Sequence, residues 1–342
     1  MEEKNVAVYV SDRNYMMQLS VSLYSLLETN GGNDLCVIVF SDGLSEEDER
    51  YLKELAEAFH TELKVERMPD LDQLCGRKLD INKRSTGTYL RLFLTELLPK
   101  ECHRVLYLDC DTLIRGSLKE LFQWDMSEYA CLMVKDNIDL AAIANLSDGP
   151  YYNAGIMVIS LDLWRELDVL SAFFDEVKRR NGNGADADQS YINCLLRNYI
   201  GTLPPEYNFM PAFYVGARDY ASYIRRYYPF RRADEVYTEQ ELKQGRDHVR
   251  IIHYIGYDGQ RPWYNNCVHP DRELWLECLD KTKYKGYVPT EQKKDGLYGN
   301  DRGMRLRRTV MKIPVANRLI LRWRFGYWTK DVAIPKRRSG DS

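Results

Sequence analysis

The sequence predicts an α/β fold, a mostly parallel sheet covered by helices on both faces. Three observations carry that reading. Short apolar runs alternate with longer amphipathic ones through the first half of the chain. The runs are continuously apolar, as strands buried on both faces are. Two of them, residues 6–10 and 104–108, lead straight into aspartates, and ligands of parallel sheets sit beyond the carboxyl ends of the strands.

Residues 6–10 form the first expected strand. A helix pattern follows over 15–29, with Met16, Leu19, Leu23, Leu26 and Leu27 on one face, and Asn30-Gly31-Gly32-Asn33 ends it. Residues 35–40 are the second strand. Ser45 caps a helix reaching about residue 59, with Glu46, Glu47 and Asp48 in its first turn. Residues 62–68 are the third strand, 88–98 a helix stopped by Pro99, and 104–108 the fourth strand; 129–135 and 155–160 read as two more. The second half is less regular, with a helix over 188–198, a short strand over 249–253 and a polar connection over 287–303. Residues 1–285 are expected to form one catalytic domain, and 286–342 a linker and a helical, basic and aromatic tail.

The bulk numbers narrow the class. At 342 residues the chain can bury a large core, and 44% apolar with 29% charged content is ordinary for a soluble domain. The net charge of −3 hides an asymmetry. Twelve Lys/Arg against three Asp/Glu after residue 300 give the tail +9 and leave the rest at −12. That split points to an acidic catalytic body with a basic tail for an anionic partner, and no nucleic-acid partner is expected. The eight cysteines form no C-x-x-C pair, which argues against zinc ribbons and thioredoxin-like chemistry and for free thiols in a reducing cytoplasm. MEEKNVAVYV does not read as a signal peptide, and no stretch approaches the ~20 apolar residues of a membrane span.

The most informative stretch is RVLYLDCDTLIRGSLKELF. On an extended backbone Asp109 and Asp111 converge on one side while Cys110 points away. Two hard oxygen donors at a strand end suit Mg²⁺ or Mn²⁺, and a turn in which one Asp caps the next helix is the plainer alternative. His253 ends another apolar run and is a candidate third ligand, although lone histidines are more often structural. Nearby, Gly256 permits close backbone approach and Arg261 offers a grip for phosphate. Asn153 can close a turn or offer its amide to a polyhydroxylated ligand, and Asp188 can be a helix N-cap or a site residue.

With YVSDRNY, TYLRLFL, YYNAGIMVIS, DADQSYINCLL, YNFMPAFY and HYIGYDGQRPW in the same order, the chain resembles glycosyltransferase family 8, over residues 5 to about 265. The resemblance implies a GT-A fold with a Rossmann-like sheet, a UDP-sugar donor, Mn²⁺ (or Mg²⁺) and retention of anomeric configuration. It implies Asp109, Asp111 and His253 as metal ligands. Val10, Asp12, Asn14 and Tyr15 match the strand-end loop that holds uridine. Arg91, Asp136, Asn153, Gly155, Asp188 and Gln189 match positions around the donor sugar, with Cys110 counted in the nucleotide-sugar site. Gly256 matches a diphosphate contact, and Arg261 lies further from it than the family pattern has it. Gln189 would lie beneath the anomeric carbon. An amide is a poor nucleophile, so a same-side, front-face attack is expected, with Asp188 as the fallback nucleophile or as orienter of sugar hydroxyls.

The acceptor implied is a saccharide, a lipid-linked saccharide or a glycoconjugate, the sugar transferred a glucose or galactose. The aromatics of YNFMPAFYVGARDY can stack on sugar faces, or Phe209 and Phe213 can belong to the core. Residues 316–329, with Trp323, Phe325 and Trp328 among arginines, suit an anionic membrane surface or a helix packed on the body. The expected location is cytoplasmic, with peripheral attachment to the inner face of the membrane through that tail. Two other classes compete: a haloacid-dehalogenase-type phosphatase using Asp109 as nucleophile, and a non-catalytic UDP-sugar-binding module.

Overall fold

A computed structural model describes residues 4–76, 86–136, 150–180, 187–214, 236–255 and 260–291. Its strands are β1 (Asn5–Asp12), β2 (Leu35–Asp42), β3 (Glu62–Arg67), β4 (Arg104–Leu108), β5 (Thr112–Ile114), β6 (Cys131–Lys135), β7 (Tyr152–Ser160), β8 (Ile200–Thr202) and β9 (Ile251–His253). Seven form one sheet in the order β3-β2-β1-β4-β7-β6-β8, and β5 pairs with β9 in a separate ladder. In the sheet β7 runs antiparallel to both its neighbours, and every other pairing is parallel. The mostly parallel sheet read from the sequence is present, and the helices lie on both its faces.

Side chains on successive strand residues enter opposite layers, and two cores result. Ala7, Tyr9, Val37, Val39, Leu106 and Leu108 pack with helix α1 (Met16–Asn30), while Val8, Ile38, Val105 and Tyr107 pack with Phe93, Phe173 and Trp164 on the other face. The stripe Leu19, Leu23, Leu26 and Leu27 is fully buried, as its spacing requires. Helix α2 (Glu46–Ala58) opens with a capping box, Ser45 Oγ accepting from Asp48 N–H at 3.1 Å and Asp48 accepting from Ser45 N–H at 3.2 Å. A third cluster, including Val21, Leu113, Ile252, Trp263 and Trp275, fastens the β5–β9 ladder and the helix Arg272–Leu279 to α1.

The structure departs from expectation in three places. Residues 86–93 wind as a 3-10 helix and only Leu94–Leu97 is α-helical, where one helix over 88–98 was expected. Tyr89, Leu90, Leu92 and Phe93 are all buried, so packing around the whole circumference sets the pitch in place of intrinsic propensity. Asn153 lies inside β7 and not before it, because the strand begins at Tyr152. Directly after Asp111 the chain forms the short strand β5, which the sequence pattern does not announce. The described cysteines are free thiols. No helix among the described residues is long and apolar enough to cross a membrane. Nearly all of the expected tail, residues 292–342, lies outside the described residues.

Candidate active site

Strand order and direction assemble the site. β1 and β4 are parallel neighbours, with Tyr9 opposite Leu108, so both C-terminal ends open on one edge. The reversed β7 brings its first residues to that same edge: Leu108 pairs with Ile156, and Asp109 N–H donates to Gly155 O at 2.7 Å. The β5–β9 ladder pairs Thr112 with His253, and Tyr254 N–H donates to Asp111 O at 2.9 Å. Asp109, Asp111 and His253 thereby meet, with one ligand atom from each lying within 4.8 Å of the others.

His253 Nε2 lies 3.1 Å from Asp111 Oδ1 and 3.9 Å from Asp109 Oδ2. Its Nδ1 is 2.9 Å from Asn208 Oδ1, which leaves Nε2 as the nitrogen facing both carboxylates. The approach depends on Gly155, where a Cβ would fall 2.2 Å from His253 Cε1 and 2.9 Å from Asp109 Oδ2. Two carboxylates and an imidazole nitrogen suit a divalent cation of the Mn²⁺ type, and this donor set fits one. Burial pushes the Asp109 carboxyl up, against the pull of Arg91. Burial acts the same way on Asp111, but the neighbouring imidazole outweighs it and holds that carboxyl below its usual range. His253 is the mirror case, with Asp111 overcoming the effect of burial and raising the imidazole.

Arg91 is the second organising cation. It is buried, its guanidinium lies 4.1 Å over the Tyr107 ring, and it donates to Ala154 O and, at 3.1 Å, to Asp109 Oδ1. Its Nε approaches Asp188 Oδ2 to 2.8 Å without the N–H aiming at that oxygen, so charge more than hydrogen bonding joins the two. Asp188 sits near the start of the helix Ala187–Leu195 and accepts backbone N–H bonds there. Burial still dominates and pushes its carboxyl up to about 6.

Gln189 belongs to an amide network. Its Oε1 accepts from Ala154 N–H at 2.9 Å and from Asn153 Nδ2 at 3.3 Å, and its Nε2 donates to Asp136 Oδ2 at 3.2 Å. Asn153 Nδ2 also donates to Asp136 Oδ2 at 3.1 Å, while Asn153 Oδ1 accepts from Gly155 N–H at 3.0 Å. Asn193 fixes this end from below, exchanging two bonds with the Tyr152 backbone and donating to Gln189 O at 2.9 Å.

The β1 end supplies the opposite wall. Asp12 Oδ1 caps the turn Arg13–Tyr15, accepting from Asn14 and Tyr15 N–H at 2.7 and 3.2 Å, so this carboxylate shapes the loop. Val10 receives the Cys110 thiol on its carbonyl at 3.3 Å, so the buried Cys110 side chain is turned towards β1. Tyr15 is partly exposed, and the charges of Arg261, Asp111 and Asp109 all act on its phenol. The positive charge of Arg261, whose guanidinium lies 5.8 Å from the Trp263 ring centre, also helps hold Asp111 low. Gly256 lies outside the described residues. Phe209 and Phe213 are buried and pack edge-to-face at 5.8 Å, so of the two roles open to them the core role holds.

Asn208 is the site residue that sequence reasoning missed. An asparagine flanked by aromatics in a buried run was its only signal, because such an amide must find partners.

Comparison with known proteins agrees with this fold. The sequence profile described as Glycosyl transferase family 8 matches residues 6–267. The lipopolysaccharide 1,2-glucosyltransferase of Escherichia coli K12 is 24% identical, over 84% of this chain and 81% of its own length. The lipopolysaccharide 1,3-galactosyltransferase of Salmonella typhimurium LT2 is 27% identical, over 82% of this chain and 79% of its own. Among solved structures, the galactosyltransferase LgtC, in complex with donor and acceptor sugar analogues, aligns with a TM-score of 0.63 at 22% identity. It covers 87% of this chain and 99% of that one, a likeness that establishes the GT-A fold.

Proposed function

Because this chain belongs to glycosyl transferase family 8 and is a glycosyltransferase, we propose that it moves a hexose, glucose or galactose, from a UDP-sugar to a saccharide or glycoconjugate acceptor with retention of configuration. One observation carries the reading: a carboxylate–carboxylate–imidazole cluster is joined through Asn208 to a buried amide network around Gln189. Asp109, Asp111 and His253 would hold Mn²⁺. When bound, the ion would offset the negative charge that grows on the departing diphosphate.

The residues of the chain do the rest. Arg261 would meet the diphosphate, and Tyr15, together with the loop of Val10, Asp12 and Asn14, the uridine. Asp136, Asn153 and Asp188 offer oxygens and amides to the sugar hydroxyls, and Arg91 holds Asp188 and Asp109 at fixed positions. A covalent route needs a carboxylate free to attack. Among the described residues of the pocket Asp136 accepts from two amides and Asp188 pairs with Arg91. Gln189 is itself held at both ends and lacks nucleophilic character. These constraints favour front-face attack by the acceptor on the sugar carbon, through a short-lived ion pair.

The names of the two bacterial relatives favour a lipid-linked saccharide as acceptor. A catalytic domain over residues 1–285 would then act at the cytoplasmic face of the membrane, brought there by the basic segment of 286–342. The test is a panel of UDP-sugars assayed for hydrolysis with and without Mn²⁺. One UDP-hexose should be hydrolysed in an EDTA-sensitive manner, with NMR showing the released sugar in the donor's configuration. Hydrolysis that survives EDTA, or an inverted product, would overturn the proposal.

A further inference from the structure

We infer that Asn208 is a positioning residue for transfer, one amide that both fixes the metal-facing orientation of His253 and holds the network beneath the donor sugar. The inference rests on the metal reading above.

Asn208 closes the turn Pro205–Asn208 and is fully buried. Its backbone neighbourhood is pinned to β9, since Phe209 N–H donates to Ile251 O at 2.8 Å and His253 N–H donates to Phe209 O at 3.2 Å. The side chain reaches two ways. Oδ1 lies 2.9 Å from His253 Nδ1, and Nδ2 lies 2.9 Å from Asn153 Oδ1.

The direction of each bond is forced. Asn153 Nδ2 donates to Asp136 and Gln189, and Asn153 Oδ1 accepts from Gly155 N–H. Turning Asn153 over would break all of these, so its oxygen faces Asn208. Asn208 must answer with its NH₂, which leaves its oxygen for His253. An amide oxygen only accepts, so Nδ1 of His253 carries a proton and Nε2 is directed at Asp109 and Asp111. Imidazole ligands are commonly oriented by an acceptor on the far nitrogen, and loss of such a partner costs roughly 10–100-fold in metal affinity or activity. A neutral acceptor also adds no charge to a pocket that already gathers Asp109, Asp111, Asp136 and Asp188. The outcome is a continuous hydrogen-bonded path from His253 through Asn208 and Asn153 to Gln189.

Two substitutions separate the two duties. Asn208→Ala removes both bonds. Asn208→Asp keeps an acceptor for His253 but sets an oxygen against Asn153 Oδ1. Mn²⁺ binding by the full chain is measured by calorimetry without nucleotide, and hydrolysis of the UDP-hexose is measured at saturating Mn²⁺. Asn208→Ala should weaken Mn²⁺ binding about 10–100-fold. Asn208→Asp should bind Mn²⁺ about as tightly as wild type while kcat falls roughly tenfold or more and KM changes little. Wild-type Mn²⁺ affinity in Asn208→Ala, or wild-type kcat in Asn208→Asp, overturns the inference. If Asn208→Ala does not fold, Asn208→Asp decides alone; if neither folds, Asn208 is a packing residue and the inference fails. A wild-type protein that binds no Mn²⁺ removes instead the metal reading itself.

Discussion

Gly155 leaves room for His253: a methyl group on Cα of residue 155 would lie 2.2 Å from the imidazole Cε1, far inside contact distance. Gly155→Ala must therefore displace the ring or β7. Overpacking of this kind costs about 1–3 kcal/mol of stability. The sharper expectation is functional: Mn²⁺ affinity by calorimetry should fall about tenfold or more even in a protein that still melts cooperatively.

Asp109 and Asp111 should respond differently to neutralisation. Burial raises Asp109, so its ionised form weakens the metal-free fold, whereas the imidazole lowers Asp111, so its ionised form strengthens it. Without metal at neutral pH, Asp109→Asn is expected to melt at or above the wild-type temperature and Asp111→Asn below it. Both should lose Mn²⁺-dependent hydrolysis. Calorimetric melting in EDTA, beside activity in Mn²⁺, checks the pair.

Asp188 gives stability a pH dependence of known sign. Its carboxyl titrates near 6 in the folded chain against about 3.9 unfolded. Between these values the folded state holds more protons, so this group's contribution is fully present below about pH 4 and is lost as pH rises through 6. The loss is on the order of 2–3 kcal/mol. Asp188→Asn should remove that slope: the melting temperature of the variant relative to wild type should climb from pH 4 to pH 7. A constant difference would contradict the assignment.

Gln189→Ala should keep measurable turnover, reduced by roughly 10²-fold, the size typical of losing one positioned polar group. Its product should retain the donor's anomeric configuration. Mass spectrometry that traps a glycosyl adduct on Asp188 would establish a covalent route and exclude front-face attack.

Truncation after Gly303 tests the basic segment. Hydrolysis of the UDP-hexose should persist, while sedimentation with anionic vesicles at low salt should be lost, each Lys/Arg near such a surface contributing about 1 kcal/mol.

The parts of the fold legible in the sequence are those where local pattern and burial agree. β1, β2 and β4 are apolar throughout because both faces of the sheet are covered, and Ser45 announces α2 through its own capping bonds. The direction of β7 was not legible, since period and composition are the same whichever way a strand runs. That reversal is what carries Asn153 and Gly155 to the active edge. The β5–β9 ladder was only half legible: β9 falls within the short strand expected over 249–253, but three residues are too few for periodicity to announce β5, and the pairing joins partners 137 to 141 positions apart (Ile114 with Ile251, Leu113 with Ile252 and Thr112 with His253). Asn208 shows the limit most clearly. Its importance lies in two bonds to residues distant in sequence, which a local reading has no means to weigh.

The β5–β9 clasp also fixes when the site can exist during synthesis. All seven strands of the main sheet fall between residues 5 and 202, whereas His253 arrives only with β9. A nascent chain emerging from the ribosome can thus complete its sheet and present both aspartates while His253 is still in the exit tunnel. Asp109, Asp111 and His253 cannot meet until some fifty residues after the last sheet strand have been made, so the completed cluster is among the last features the growing polypeptide acquires.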